Sequence, residues 1–447
     1  MAELLDLASG ILPLAAPGEE LEAYAVHRTS TTVQAGTGGV VRDVGKAETR
    51  GVGVRLLARS RMGYASTADL SRAGLADAVV RSRQNAAAAD PDEAVALPTP
   101  EPVIAATQLW NEVLSQLPLE AKVGLATDIA RRVTMIDPQI RSIDTAEYYD
   151  ESVVTAVAST SGVRVEDRHG YVELSTDAIG ESTDGSVADY SYWCGRDPGL
   201  IDIEWLAAEA VSRTIRLMCS SAKRLTGLPV VLDRAVVGSL LVAIGRACSG
   251  GPLSSGRSAF ADLHGSLVGA ASVSLMDDGR CPAAPAAALI DDEGVPRRST
   301  TLIDDGVLVG ALHTTTTARA IGGNARTTGN ARRITHRSSP RAAPSALVLQ
   351  PTCSLAQLLA AAGDATYLQQ VTGSQSGISS VTGRVNAGAM GFRLRAGEPS
   401  GRLPTTAVAT NLQAFLSSIL MVADDILAVP GVPVLAATVL CAPGWLP

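Results

Sequence analysis

From Val230 to the end, glycine punctuates short alternating runs rich in β-branched residues, and this pattern constrains the fold more than any other feature. Gly294, Gly306, Gly383 and Gly391 separate segments too short for helices but alternating as half-buried strands do. Such a chain is expected to build mostly antiparallel sheet with few helices. One helix stands out. Val230 to Leu232 reads as a short strand, and Asp233 can cap a helix from Ala235 to Cys248 that stops at Gly250-Gly251.

The first half has a different texture. Residues 2–16 read as a leucine-rich helix stopped near Pro17-Gly18. Leu21–Arg28, Gly51–Arg59 and Gly63–Thr67 alternate as strands, and Asp69-Leu70-Ser71 opens a helix running to Gln84. Residues 86–102 lack periodicity and read as a linker-like excursion. A helix over Leu119–Val133, strands over Ile140–Tyr148, Val153–Ser159 and Val163–Ser175, and a long helix over Ile203–Ser220 follow. Leu225–Pro229 reads as the junction. The expected fold class is α+β: an N-terminal α/β domain over 1–225, then a C-terminal antiparallel β-rich domain over 226–447.

Composition narrows the function classes. The 447 residues are 46% hydrophobic, enough for a sizeable core. Acidic residues outnumber basic ones 45 to 37, which argues against a general nucleic-acid binder. Acidic Glu3 and Asp6 do not suit a secretory signal, so a cytoplasmic location is expected. Ile426–Pro447 is uncharged and long enough to cross a membrane, but Pro430, Pro433 and Pro443 break it as a helix. It reads as buried strands and turns, and no membrane partner is expected. The six cysteines form no C-x-x-C pair and read as buried, reduced thiols.

Familiar catalytic motifs fail on inspection. His27, His169, His264, His313 and His336 are too far apart for two to share a helical face, as a zinc protease helix requires. Gly373-Ser374-Gln375-Ser376-Gly377 has Gln375 where a nucleophile elbow needs serine. Gly45-Lys46 is followed by Ala47, where a P-loop needs a hydroxyl. One charge feature remains. No acidic residue falls between Asp305 and Asp364, a window holding Arg319, Arg326, Arg332, Arg333, Arg337, Arg341 and His336. Gly322 to Asn330 lies at its centre, where glycine and asparagine tolerate left-handed backbone and expose amides. This segment reads either as an anion- or peptide-binding loop or as a solvated basic loop paired with acids elsewhere.

Four stretches, in order, resemble the TldD/PmbA (TldE) family. Gly51-Val52-Gly53-Val54-Arg55-Leu56 leads to Gly63-Tyr64-Ala65-Ser66-Thr67 and the Asp69-Leu70-Ser71 helix start. Glu293-Gly294-Val295 precedes Ile303-Asp304-Asp305-Gly306-Val307-Leu308. Ala318-Arg319 precedes Thr328-Gly329-Asn330-Ala331-Arg332-Arg333. Val381-Thr382-Gly383 precedes Gly388-Ala389-Met390-Gly391-Phe392.

The resemblance implies that the C-terminal domain forms curved sheets in an open barrel or sandwich. It also implies a division of labour. TldD-type subunits carry a His-Glu-x-x-x-His zinc helix after a Leu-Leu pair, and a later Cys. Here Val242, Ala243 and Ala247 follow Leu240-Leu241 at those positions, and apolar Pro433-Val434-Leu435 lies about where the Cys would be, with Cys441 beyond it. Hydrocarbon supplies no metal ligand. The sequence is similar instead to the non-catalytic PmbA/TldE-type subunit. That implies no cofactor in this chain, zinc in a TldD-like partner of a heterodimer, and unfolded or short peptides, including leader or modified peptides, as substrate. A homo-oligomeric peptide-binding scaffold and an enzyme of different chemistry in a natural-product pathway are the alternatives. Asn324, Arg326, Asn330, Arg332 and Arg333 are the candidates to line a substrate channel or subunit interface. Replacing the three arginines among them is expected to leave folding intact.

Overall fold

The computed structural model describes residues 2–104, 109–182, 185–219, 227–322, 325–404 and 406–445. Asn324 and residues 220–226, next to the expected junction, lie outside the described residues.

The first half is built on β1 (Glu20–Gly36), β2 (Val40–Ala58), β3 (Arg61–Thr67), β4 (Ile140–Ser142), β5 (Ala146–Ser159), β6 (Arg164–Ser182) and β7 (Gly185–Gly195). Among the described residues these form one antiparallel sheet ordered β3-β2-β1-β5-β6-β4, with β7 on β6. β1 and β2 run far beyond the expected strands, pairing continuously except for one irregularity near their hairpin. Residues 40–50 of β2 are mostly exposed, so the outer ladder has little hydrophobic alternation to read.

Strand alternation gives this sheet two different faces. Leu21, Ala23 and Ala25 of β1 pack under α1 (Ala2–Gly10) and α2 (Arg72–Ala88). Val33 and Ala35, with the same parity, pack under α3 (Glu112–Gln116), α4 (Leu119–Ile136) and α5 (Ile203–Met218). Helix starts follow local chemistry: the Ser71 side chain accepts from Gly74 N at 3.1 Å and Asp202 accepts from Trp205 N at 2.9 Å. The opposite face presents Glu22, Tyr24 and Val26, and the second half of the chain lies over it.

That half wraps two sheets around α6 (Arg234–Ala247), which follows β8 (Val230–Leu232). One sheet contains Leu275–Asp278, Ser299–Asp304, Leu347–Leu349 and Val434–Ala436. The other contains β8, Ala365–Thr372, Arg384–Arg395 and Val439–Cys441. Leu240, Leu241 and Ile244 of α6 share one buried cluster with Leu275, Leu347, Leu368 and Val439 of the two sheets. The chain is thus α+β with a β-rich second half. Pairing is mostly antiparallel, but β8 runs parallel to Ala365–Thr372, and Leu347–Leu349 runs parallel to Val434–Ala436. The proline-broken C-terminal stretch forms short strands, and among the described residues no helix is long and apolar enough to cross a membrane.

Candidate functional site

The start of α6 is fixed from both halves. Asp233 Oδ1 accepts from Ala235 N at 3.0 Å, and Arg213 of α5 reaches Asp233 Oδ2 with Nη1 at 2.9 Å. The Tyr367 hydroxyl donates to the same oxygen at 2.8 Å. Burial alone would raise the Asp233 pKa; Arg213 outweighs it and holds the carboxyl below its usual value.

From that anchored start, Ser239, Val242, Ala243 and Arg246 recur at helical spacing along a groove of about 160 Å3, faced by Val429 and Val432. Val242 and Ala243 stand where the family resemblance implies the first zinc-binding histidine and the glutamate, and Ala247, next after Arg246, stands where it implies the second histidine. The side chains present do not fit zinc: Val242, Ala243 and the fully buried Ala247 carry no lone pair, and the residues lining the groove from elsewhere are Ile378, Val429, Val432 and the neutral hydroxyl of Ser374, none of them His, Cys, Asp or Glu. Val434 and Leu435 are buried in a strand. Cys441 is also buried, its thiol pushed up to about 12 by burial, and it does not line the groove.

The basic loop divides into distinct roles. Arg326 is exposed. Asn330 is buried and donates through Nδ2 to Asp277 Oδ2 at 2.6 Å and to the Ala343 carbonyl at 3.2 Å. Arg333 is buried between the halves. Its guanidinium pairs with Glu22, donates to the Tyr64 hydroxyl at 3.2 Å and lies 4.9 Å from the Tyr24 ring centroid. Glu22 also holds Arg55 at 2.6 Å, and Arg55 reaches Glu293 at 2.7 Å. Arg333, Glu22, Arg55 and Glu293 therefore form a buried row of alternating charge, with one member from β1, one from β2 and two from loops of the second half. Three of the recognised sequence stretches meet in this row, and the work of these residues there is to join the halves.

Arg332 points elsewhere, into a cleft of about 90 Å3 between the halves. Arg28, Glu151, His169 and Tyr171 from the helix-free sheet face line its other side. His169 Nδ1 lies 2.8 Å from Asp167 Oδ2, and the Asp167 side chain is buried. Sequence reading passed over this pair. The signal was present: Asp167 and His169 are two apart on a strand and so share a face.

Three family models match in order along the chain: PmbA/TldA metallopeptidase domain 1 over residues 21–86, the central domain over 112–218 and the C-terminal domain over 226–442. Metalloprotease PmbA of Escherichia coli O157:H7 is 24% identical over 429 residues, spanning 95% of this chain and 92% of that protein. A metalloprotease TldD homolog of Buchnera aphidicola is 32% identical over 197 residues, 41% of this chain and 40% of that relative. Among solved structures, TldE from Thermococcus kodakarensis superposes with a TM-score of 0.84 at 17% identity, covering 95% of this chain and 96% of that one. A Thermotoga maritima protein gives a TM-score of 0.88 at 20% identity, covering 99% and 98%. With first, central and C-terminal models all matched in sequence order, the chain belongs to the PmbA/TldD metallopeptidase family.

Proposed function

We propose that this chain is the non-catalytic, TldE/PmbA-like subunit of a cytoplasmic two-subunit metallopeptidase that acts on unfolded or short peptides. The observation that carries the reading is hydrocarbon along α6: Val242 and Ala243 line the groove, and Ala247 lies buried in the same helix. A groove without ligands or a general base can hold a peptide but cannot activate water on a metal. Zinc and the hydrolytic step then belong to a TldD-like partner. The full-length PmbA relative, itself described as a metalloprotease, supports placing the chain in such an enzyme.

The test is to purify the chain alone and with a co-expressed TldD-type partner. Alone it should carry no stoichiometric zinc and cleave no peptide. Together the two should co-elute and cleave. One tightly bound zinc per chain, or peptide cleavage by the chain alone, would overturn the assignment.

A further inference from the structure

We propose that the cleft between the two halves binds the C-terminal carboxylate of a short extended peptide, with Arg332 as its principal ligand. This rests on the peptide reading above and adds a place and a chemistry for the peptide's end.

The floor of the cleft is a patch of the sheet face opposite the helices. Arg28 on β1 stands opposite Val153 on β5, and Val153 stands opposite His169 on β6. With strands about 4.8 Å apart, Arg28 and His169 flank Val153 at a separation of about 10 Å. The next row along places Glu151 opposite Tyr171. Arg28 has a loose ion pair with Glu151, at 3.5 Å.

Arg332 forms the other wall and differs from its neighbours. Among the described residues its guanidinium has no hydrogen bond or ion pair, although it faces the cleft. The backbone beneath it is held on both sides. Ala331 N donates to Asp291 Oδ2 at 2.9 Å, Asn330 is tied to Asp277, and Arg333 N donates to Asp292 Oδ2 at 2.5 Å. Asn330 and Arg333 are thus positioning residues for a free, planar fork of donors. A guanidinium held in this way is suited to a carboxylate, which it can grip through two parallel hydrogen bonds.

Charge selects the ligand class. Arg333 is already matched by Glu22, and Glu151 and Asp292 add negative charge to the walls. Arg297 lines the cleft as well, so Arg28, Arg297 and Arg332 stand against Glu151 and Asp292, and the excess of one positive charge suits a single negative charge better than a doubly charged phosphate. His169 contributes orientation. In the tautomer that donates Nδ1–H to Asp167, its Nε2 is left to accept the N–H of the terminal residue.

The cleft also adjoins the α6 groove, because Val432 lines both. Gly431 N donates to Glu173 Oε1 at 3.0 Å, which pins this shared wall to the sheet. A peptide lying along the groove, whose lining mixes Ile378, Val429 and Val432 with Ser239, Arg246 and Ser374, can therefore end at Arg332.

The test uses the full chain without a partner. Acetyl-Ala-Ala-Val-Ala is titrated calorimetrically as the free acid and as the C-terminal amide. A charge-assisted pair predicts that the acid binds at least about tenfold more tightly. Arg332→Gln should erase that preference while leaving the melting temperature unchanged. Equal binding of acid and amide by the wild type overturns the carboxylate site but leaves peptide binding standing. An undiminished preference in Arg332→Gln overturns the assignment of Arg332. Absence of binding by either peptide overturns the proposal, whereas pairing with a TldD-type subunit is read separately by co-elution.

Discussion

The guanidinium of Arg55 on β2 lies 2.7 Å from the carboxylate of Glu293 in the second half, and both side chains are almost wholly excluded from water. Burial alone would lower the Arg55 pKa; Glu22 and Glu293 outweigh it and hold it above its usual value. The contact makes the two halves one electrostatic unit. Removing one member leaves a buried charge without compensation, the costly way to break such a pair.

Arg55→Met should therefore destabilise the chain by about 3–5 kcal/mol. Urea denaturation of the variant checks this. A loss close to zero would mean that water reaches Glu22 and Glu293 once the arginine is gone.

The arginines of the basic loop should separate sharply. Arg326→Ala, at an exposed position, is expected to change stability by under ~0.5 kcal/mol. Arg333→Ala leaves buried Glu22 and Glu293 to share Arg55, one negative charge uncompensated, and should cost about 3–5 kcal/mol. A triple alanine variant that includes Arg333 will thus compromise folding, contrary to the expectation from sequence. Thermal melts of the single variants decide it.

Gly53 on β2 should not tolerate a side chain. A Cβ there would meet the Tyr64 hydroxyl and come within 2.6 Å of the His336 carbonyl, and that hydroxyl donates to that carbonyl at 2.6 Å. Gly53→Ala is expected to cost about 1–3 kcal/mol by overpacking. An unchanged midpoint of unfolding would show that the loop carrying His336 can retreat freely.

Grafting ligands onto α6 should not build a zinc site. Val242→His with Ala243→Glu places new groups in the groove, but Ile378, Val429 and Val432 offer no ligand atom and Ser374 only a neutral hydroxyl. Metal analysis should find no stoichiometric zinc. Adding Ala247→His forces a ring into a fully buried position and should cost about 1–3 kcal/mol.

Glu173 should give the wall between groove and cleft a pH dependence. Burial raises its carboxyl pKa, and the Gly431 amide opposes this without cancelling it. The folded chain then holds the proton more tightly than the unfolded chain. The stabilisation is complete below the unfolded value, near 4.5, and is lost as pH rises through the folded pKa. Glu173→Gln keeps an acceptor for Gly431 and cannot ionise. It should flatten the fall in melting temperature from acid to neutral pH.

Much of the fold was written locally. Ser71 and Asp233 cap helices because a short polar side chain followed by helix-forming residues satisfies the free amides at that point. The apolar substitutions along α6 were legible because a missing lone pair needs no partner to interpret. The outer ladder of β2 was not, since exposed residues 40–50 carry little burial pattern and are held by backbone pairing to β1. The basic loop showed its charge but not its allegiances.

Sequence alone determined where α2, α4, α5 and α6 begin and that Val242, Ala243 and Ala247 along α6 are hydrocarbon. Only the tertiary structure decided that Arg333 is consumed by Glu22, that Arg332 beside it is free, and that His169 is turned by Asp167 toward the same cleft. The reason is physical. Propensity, periodicity and capping act over a few residues, whereas a buried charge is defined by its partner, and Glu22 and Arg333 are separated by 311 positions.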